Sequence, residues 1–575
     1  MKKYLLIFTI FLGASLLNAG PLDFGQTSRE GAFVDQATAA LQKRVKHYPG
    51  ADKLYRELFY TPVWIGPKGP TGFAKTLLDR VEQDRTVPPV LGLRKDARKL
   101  RRELQDLYAR PSSLEQKIDM ELALSRLYLN YMHYLLYGGI DWKAFDAKRA
   151  ELTKKYKIKV GWEYYRPKMT PASLLVEATM SGDLRSAFAK AEPKRFKYAK
   201  LKKALERYLE IADRGGWKPL PAFKAIKPGQ SHPAIPLIRQ HLRIEGDLPA
   251  SASLDSDIYD ETLQKAMRRY KLRHGLPGTP VIDAQTRRWL NTSVQYKIAM
   301  LRLNLDRIKW IWRQEAPVRI ELNIPAFRLY VYEGQHLVDT MRVVTGKPDH
   351  PTPVFHNTMK YIVVNPYWKI PESIVRSEML KHLVKDPYYY ERRGKVLHAG
   401  WDEDSPRIDP GTINWSQYVG NNKTIPYRFM QVPGTRNALG KIKFLFPNKY
   451  SVYIHDTPSK KLFFRSTRAF SHGCMRIQKP RELLKVLALY NSNIDVEGIM
   501  EQLGTREKET ISLLHEIPVD IVYLTAFVDD YGNLNFRKDI YHYDKYQMDH
   551  YAYNPKRKTP NTPAAQAKAS QPAGK

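Results

Sequence analysis

Disulfide chemistry is excluded from this chain, because its 575 residues contain a single cysteine and no intrachain bridge can form. Cysteine-cluster metal sites are excluded with it, and no His-Glu-x-x-His pair occurs, so no metal is expected, and the chemistry inferred below requires no organic cofactor. Acidic residues are the scarcer charge. The 59 Asp and Glu stand against 94 Lys and Arg, a net charge of +35 that calls for a polyanionic partner. Beyond the N-terminus, no segment runs long enough without charge to span a bilayer.

The N-terminus itself has a recognisable order. Met1-Lys2-Lys3 precedes a nearly unbroken apolar run over residues 4–17, which closes on Leu17-Asn18-Ala19-Gly20. A basic start, a short apolar run and a small residue before the cut read as a signal peptide over residues 1–19, cleaved after Ala19. The run falls short of the ~20 residues a membrane helix needs, and no cysteine stands near the cut to take a lipid. A soluble, exported, periplasmic protein is therefore expected. Export removes nucleic acid from the candidate polyanions. Carboxylate-rich wall polymer and anionic lipid head groups remain, while part of the excess, such as Lys99-Leu100-Arg101-Arg102, is simply a solvated helix face.

Patterning divides the chain. Residues 20–50 read as a polar, irregular segment. Residues 51–217 read as a helical scaffold: Leu122, Leu129, Met132 and Leu136 recur near helical spacing and Gly138-Gly139 stops them. A Pro/Gly/Lys-rich linker opens the stretch 218–293, followed by two short helical patterns and a glycine turn at His274-Gly275. Residues 294–316 form a connecting amphipathic helix, with Ile298, Leu301, Leu305, Ile308 and Trp312 on one face. The period then changes to two. Residues 328–332 and 337–344 around Glu333-Gly334 predict a hairpin, with further strand-like runs at 361–364, 441–446 and 450–455. A Tyr/Pro/charge-rich insert at about 371–427 interrupts this β region, which extends over 317–545, and its length marks a lid or binding loop. Pro480 opens a helix, 519–528 returns as a strand, and 546–575 reads as a disordered basic tail.

The lone cysteine lies in Ser471-His472-Gly473-Cys474-Met475-Arg476, with His455 fifteen intervening residues before Ser471. A thiol with pKa near ~8.5 is only slightly ionised at neutral pH, so attack on an amide needs a base and then donors for the oxyanion. His455 ends an apolar run and is followed by the turn-forming Asp456-Thr457-Pro458, which sets an imidazole at a strand end. Gly473 lets the backbone approach closely, so that the N–H groups of Gly473 and Cys474 can face one carbonyl oxygen. A single such donor is worth ~3–4 kcal/mol of barrier in acyl-transfer enzymes.

His455, a fifteen-residue spacer and Ser471-His472-Gly473-Cys474 together resemble the signature of the L,D-transpeptidase (YkuD-like) catalytic domain. Val363-Val364-Asn365-Pro366-Tyr367-Trp368, Asn437-Ala438-Leu439-Gly440 and Phe446-Pro447-Asn448 resemble its large branch, in which a helical scaffold, a peptidoglycan-binding module and a lidded catalytic domain follow one another. Tyr259-Asp260, Ala266, Tyr270 and Gly275-Leu276 likewise resemble a small three-helix peptidoglycan-binding domain. The resemblance implies a multidomain protein of those three parts, the last mostly β. It further implies Cys474 as nucleophile, His455 as base, the Asp456 carbonyl orienting the imidazole, and His472 and Gly473 lining the oxyanion site. Ser471, Arg476, Asn437 and Trp368 are the expected substrate-binding set, with two of them open: Arg476 either binds a substrate carboxylate or braces its loop, and Trp368 either packs or walls the groove. The lid tyrosines Tyr388, Tyr389 and Tyr390 could cover a groove or pack the insert, and His382 and His398 are expected in ordinary structural roles.

By the same resemblance, peptidoglycan stem peptides are the substrate: a tetrapeptide donor, a diamino-acid amine as acceptor, a thioester between them and a 3→3 crosslink as product. Carbapenem-type β-lactams would inactivate the enzyme, and cell-wall synthesis proteins are possible partners of the scaffold. Water could resolve the thioester instead, giving an L,D-carboxypeptidase, or a lipoprotein amine could accept the stem. A non-catalytic wall-binding scaffold is the alternative outside enzymology.

Overall fold

The computed structural model describes residues 24–48, 50–156, 160–421 and 423–553, and the signal-peptide segment lies outside them. The described part of the chain forms two compact units. One comprises residues up to 138 together with 167–192, and the other comprises 139–166 and the chain from 193 on. No helix among the described residues is long and apolar enough to cross a membrane.

The first unit is helical, and its helices start where the sequence supplies caps. Thr71, Ser113, Thr170 and Asp183 each accept a backbone N–H of the turn they open, Ser113 doing so in a reciprocal capping box with Gln116. The segment expected to be irregular is instead the helix Phe24–Arg44, on which Ala37 and Leu41 are fully buried in line with Val45 beyond its end. Its buried face shows only Ala37 and Leu41 four apart in an otherwise polar stretch, which is a weak signal in sequence. The central helix Leu114–Tyr137 carries the fully buried Glu121. The Glu121 carboxylate accepts the backbone N–H groups of Val63 (2.6 Å), Trp64 (2.9 Å) and Ile65 (3.0 Å) and the Tyr55 hydroxyl (2.6 Å). Burial pushes this carboxyl up to about 7 in spite of those donors. The apolar knot at residues 58–64 is thus organised around one acid.

The second unit takes part of what reads as scaffold. Helix Tyr198–Asp213 lays Tyr198, Leu201, Leu205 and Tyr208 against Leu301, Leu305 and Ile308 of helix Val294–Lys309. Helical periodicity gives the apolar face of 198–213 but not its partner, so the expected boundary at 217 falls too late. The next stretch folds as three short helices, Ile235–Glu245, Glu261–Arg273 and Ala284–Leu290, around Ile238, Leu242, Tyr259, Met267 and Tyr270. Leu220 and Ile226, on the expected linker, belong to that core. The expected helix over 294–316 ends at Lys309, so Trp312 lies beyond it and stacks on His356 at 5.2 Å.

The β domain opens with β1 (Val318–Asn323), β2 (Arg328–Glu333), β3 (His336–Gly346) and β4 (Phe355–Val364). After the insert come β8 (Ile442–Leu445), β9 (Ile454–His455), β10 (Ala469–Ser471), β11 (Met475–Ile477) and the long β12 (Glu509–Val522). The strand order is β10-β3-β11-β9-β8-β4-β12-β1-β2, and β2 also pairs with β3, so the sheet closes on itself and leaves few free edges. Only the last two residues of the run 450–455 are strand, because Ser451 takes φ +56° and turns the chain. The insert contributes β5 (Trp368–Lys369), β6 (Lys395–His398) and β7 (Arg428–Gln431) as a separate three-stranded sheet over its own core of Met379, Leu383, Trp415 and Phe429. Tyr389 and Tyr390 pack within this insert while Tyr388 is exposed, His382 stacks on Tyr389 at 4.5 Å, and the His398 ring meets the Ser405 carbonyl at 2.9 Å.

The chain stays ordered past 546. Tyr551 is buried and its hydroxyl donates to Asp306 at 2.6 Å, while the Ala552 N–H donates to the Gly139 carbonyl, so the expected tail is fixed through Tyr553 and its remainder lies outside the described residues.

Replacing Glu121 by Ala leaves three buried N–H groups without an acceptor. Denaturant unfolding followed by tryptophan fluorescence should show the first unit destabilised by roughly 3 kcal/mol or more.

Candidate active site

Cys474 precedes β11 by one residue, and β11 runs parallel to β9 with Met475 opposite Ile454 and Arg476 opposite His455. Successive strand residues face opposite ways, which assigns each side chain to a face. Ile442, Phe444, Ile454, Met475 and Ile477 point into the core and are fully buried. The other face carries Lys443 on β8, Tyr453 and His455 at β9, and Cys474 and Arg476 at β11. Because β8 pairs antiparallel to β9 with Lys443 opposite His455, one row across three strands reads Lys443, His455, Arg476. Cys474 and Tyr453 occupy the next row, near enough for each to act on the other's ionisation.

His455 is 4 % exposed, and its Nδ1 meets the Asp456 carbonyl oxygen at 2.5 Å. With Nδ1–H donating there, the free lone pair is on Nε2, the form a general base requires. Burial and the neighbouring Arg476 and Lys443 cations depress the imidazole to about 3, so it is neutral at physiological pH. Burial raises the Cys474 thiol, opposed first by the Tyr453 backbone and then by the Lys443 and Arg476 charges. The resting pair is accordingly a neutral thiol beside a neutral imidazole. Asp456 is itself clamped: its carboxylate accepts the Lys441 N–H at 2.9 Å and pairs with Lys460 at 2.5 Å. It lies where a side chain at Gly440 would go, and Gly440 has φ +64°.

The cysteine turn is braced from below. The Ser471 hydroxyl donates to the Cys474 carbonyl at 2.5 Å and accepts the Gly473 N–H at 3.3 Å. Gly473 has φ +113°, and its carbonyl accepts the Thr352 hydroxyl at 2.7 Å. The Tyr541 hydroxyl accepts the Thr352 N–H and donates to the Gly346 carbonyl at 2.6 Å, tying this support to the C-terminal segment.

Two members of the expected substrate-binding set have other duties. Ser471 is buried and its hydroxyl is spent on the turn. Asn437 is 1 % exposed, and its amide donates to the carbonyls of Pro366 (3.0 Å), Gln431 (3.2 Å) and Val432 (3.0 Å) while its oxygen accepts the Leu439 N–H (2.8 Å). Both residues satisfy backbone groups of irregular segments, which short polar side chains do well. Trp368 is half-buried on β5, packed against the insert's core with Lys395 5.5 Å from its ring. The Gly473 N–H already has the Ser471 partner. The His472 ring points to the insert, with Nε2 3.1 Å from Glu378 and His350 packed on it at 4.5 Å. Arg476 shares the face of Cys474, and its Nε is inaccessible and without an acceptor. Lys443, Tyr453 and Glu378 escaped the sequence reading. Period-two spacing from His455 points to Tyr453, whereas Lys443 needs the β8–β9 register and Glu378 the fold of the insert. Among the described residues no group of three or more His, Cys, Asp or Glu side chains is arranged to hold a metal.

Residues 317–506 match the family described as the L,D-transpeptidase catalytic domain (YkuD), and residues 50–205 match the Scaffold domain. A Haemophilus influenzae protein carrying the provisional name L,D-transpeptidase is 33% identical over 227 residues, which are 39% of this chain and 44% of that protein. The chain thus spans under half the length of this curated relative. Among solved structures, an L,D-transpeptidase from Mycobacterium smegmatis aligns over 36% of this chain and 59% of its own at 13% identity and TM-score 0.17. L,D-transpeptidase 3 from Mycobacterium tuberculosis with a faropenem-derived adduct aligns over 36% and 60% at 14% identity and TM-score 0.17.

Alkylation by iodoacetamide follows the thiolate fraction. Its rate at Cys474, measured against pH, should have a midpoint above the ~8.5 of an unperturbed thiol. A midpoint below 8.5 would contradict the neutral resting pair.

Proposed function

For a chain that carries an L,D-transpeptidase catalytic domain together with a Scaffold domain, we propose a periplasmic enzyme that joins peptidoglycan stem peptides through a thioester on Cys474. The register that sets Arg476 opposite His455, and so aligns the thiol and imidazole on one face, is the observation that supports this reading most directly.

The donor is a tetrapeptide stem whose third residue is a diamino acid and whose fourth is D-Ala. His455 Nε2 takes the proton from Cys474 Sγ as sulfur attacks the carbonyl of the third residue's L-centre. The C–N bond then breaks, the imidazolium protonates the departing amine, and free D-Ala leaves a thioester behind. The side-chain amine of a second stem's diamino acid attacks that thioester, and His455 accepts its proton. The C–S bond breaks and the thiol is restored, leaving a 3→3 crosslink. Every atom and proton is supplied by the two stems and the Cys–His pair. A thioester suits this transfer because amines displace thiolates readily. Lys443 and Arg476 favour the thiolate-like sulfur of attack, and burial keeps His455 unprotonated and ready as base. A carbapenem-type β-lactam presents a strained amide to the same sulfur and is proposed as an inactivator. Peptidoglycan and cell-wall synthesis proteins are the partners this reading implies for the basic surface, three-helix module and scaffold.

Purified tetrapeptide muropeptides incubated with the enzyme should give crosslinked dimers by mass spectrometry, and Cys474→Ser should give none. Tripeptide monomers without dimers would assign hydrolysis instead.

A further inference from the structure

Several buried cations elsewhere in the second unit are paired with carboxylates. Arg195 is paired with Glu321 and Asp520, Arg273 with Glu245 and Asp247, Lys297 with Glu245, Arg307 with Asp544, and Lys309 with Asp306. Arg468 and Lys271 lack a carboxylate but are each bound to backbone carbonyls. Such pairing is the rule, because an unpaired charge removed from water is costly. In the row beside Cys474 neither cation forms an ion pair with a carboxylate among the described residues. Arg476 and Lys443 are half-buried; Arg476 Nε is cut off from solvent with no acceptor, as Arg195 Nε and Arg307 Nη2 also are, while Lys443 Nζ lies over the Tyr453 ring at 4.1 Å with no carboxylate or carbonyl partner among the described residues. The carboxylate that acts on Arg476, Glu378 of the insert, is turned to His472.

The two residues flank His455 on neighbouring strands, whose backbones lie roughly 4.8 Å apart across the sheet. We propose that Lys443 and Arg476 form a cradle that selects the acyl donor by a stem-peptide carboxylate close to its scissile bond. The proposal rests on Cys474 being the nucleophile and adds what the site recognises. A tetrapeptide donor offers two such groups, the terminal carboxylate of the leaving residue and the free carboxylate of the diamino acid. An anion in the cradle would also offset two of the charges that disfavour a protonated His455, so a bound donor would make the imidazole a stronger base.

The test uses three tetrapeptide donors: unmodified, amidated at the terminus, and amidated at the diamino-acid carboxylate. In the unaltered enzyme one of the two amides should lower kcat/KM by about tenfold or more, mainly through KM. Which amide does so identifies the carboxylate. In Lys443→Met that discrimination should collapse, and in Lys443→Arg it should return, a pattern that a merely misfolded variant would not give. Normal thioester formation with undiminished discrimination in Lys443→Met would overturn the cradle alone. Equal use of all three donors by the unaltered enzyme would do the same. No thioester at Cys474 with any donor would overturn the nucleophile assignment and the cradle with it.

Discussion

The chemistry proposed for this protein hangs on one short parallel contact, in which Met475 lies opposite Ile454 and Arg476 opposite His455. A shift of one residue would turn either side chain to the other face of the sheet, where Ile454, Met475 and Ile477 fill the core. The pairing is therefore held by what lies beneath it as much as by its own hydrogen bonds. The strands are only two and three residues long, and such short strands would not fix a register alone. Their neighbours do so: β8 and β3 flank the pair in a sheet that closes on itself. The Ser471, Thr352 and Tyr541 hydroxyls pin the turn that delivers Cys474.

Charge works in two opposite ways in this unit. In the frame, buried Arg and Lys are matched by Asp and Glu, as where Glu245 joins the three-helix module to helix Val294–Lys309 through Lys297. Such matched sets fix geometry more than they add stability. At the cysteine the match is withheld. Lys443 and Arg476 stay uncompensated beside a neutral imidazole and a neutral thiol, both held uncharged mainly by burial. The site is thus poised for negative charge, whether on sulfur during attack or on an incoming substrate.

What the sequence disclosed were the features with local signals. The Cys474–His455 motif is a matter of residue type and spacing, the hairpin of 328–344 is alternation around a Glu-Gly turn, and two of the module's three helices show in their apolar periodicity. What it concealed depends on tertiary partners. Helix Phe24–Arg44 shows only Ala37 and Leu41 fully buried in a polar stretch, and helix Tyr198–Asp213 joins a unit that its own pattern cannot name. Ser471 and Asn437 stand in a motif full of chemistry, yet their side chains serve carbonyls and N–H groups of the loops they occupy. Lys443 is the converse, an unremarked lysine that strand pairing sets beside the base.

The central claim is that Cys474 carries an acyl group that His455 helps it to take. Intact-protein mass spectrometry of enzyme quenched early with a tetrapeptide stem tests this directly. The account predicts a tripeptidyl adduct located on Cys474, one free terminal residue per adduct, and a much slower onset in His455→Ala. An adduct on another residue, or release of the terminal residue with no adduct at any time, would contradict it.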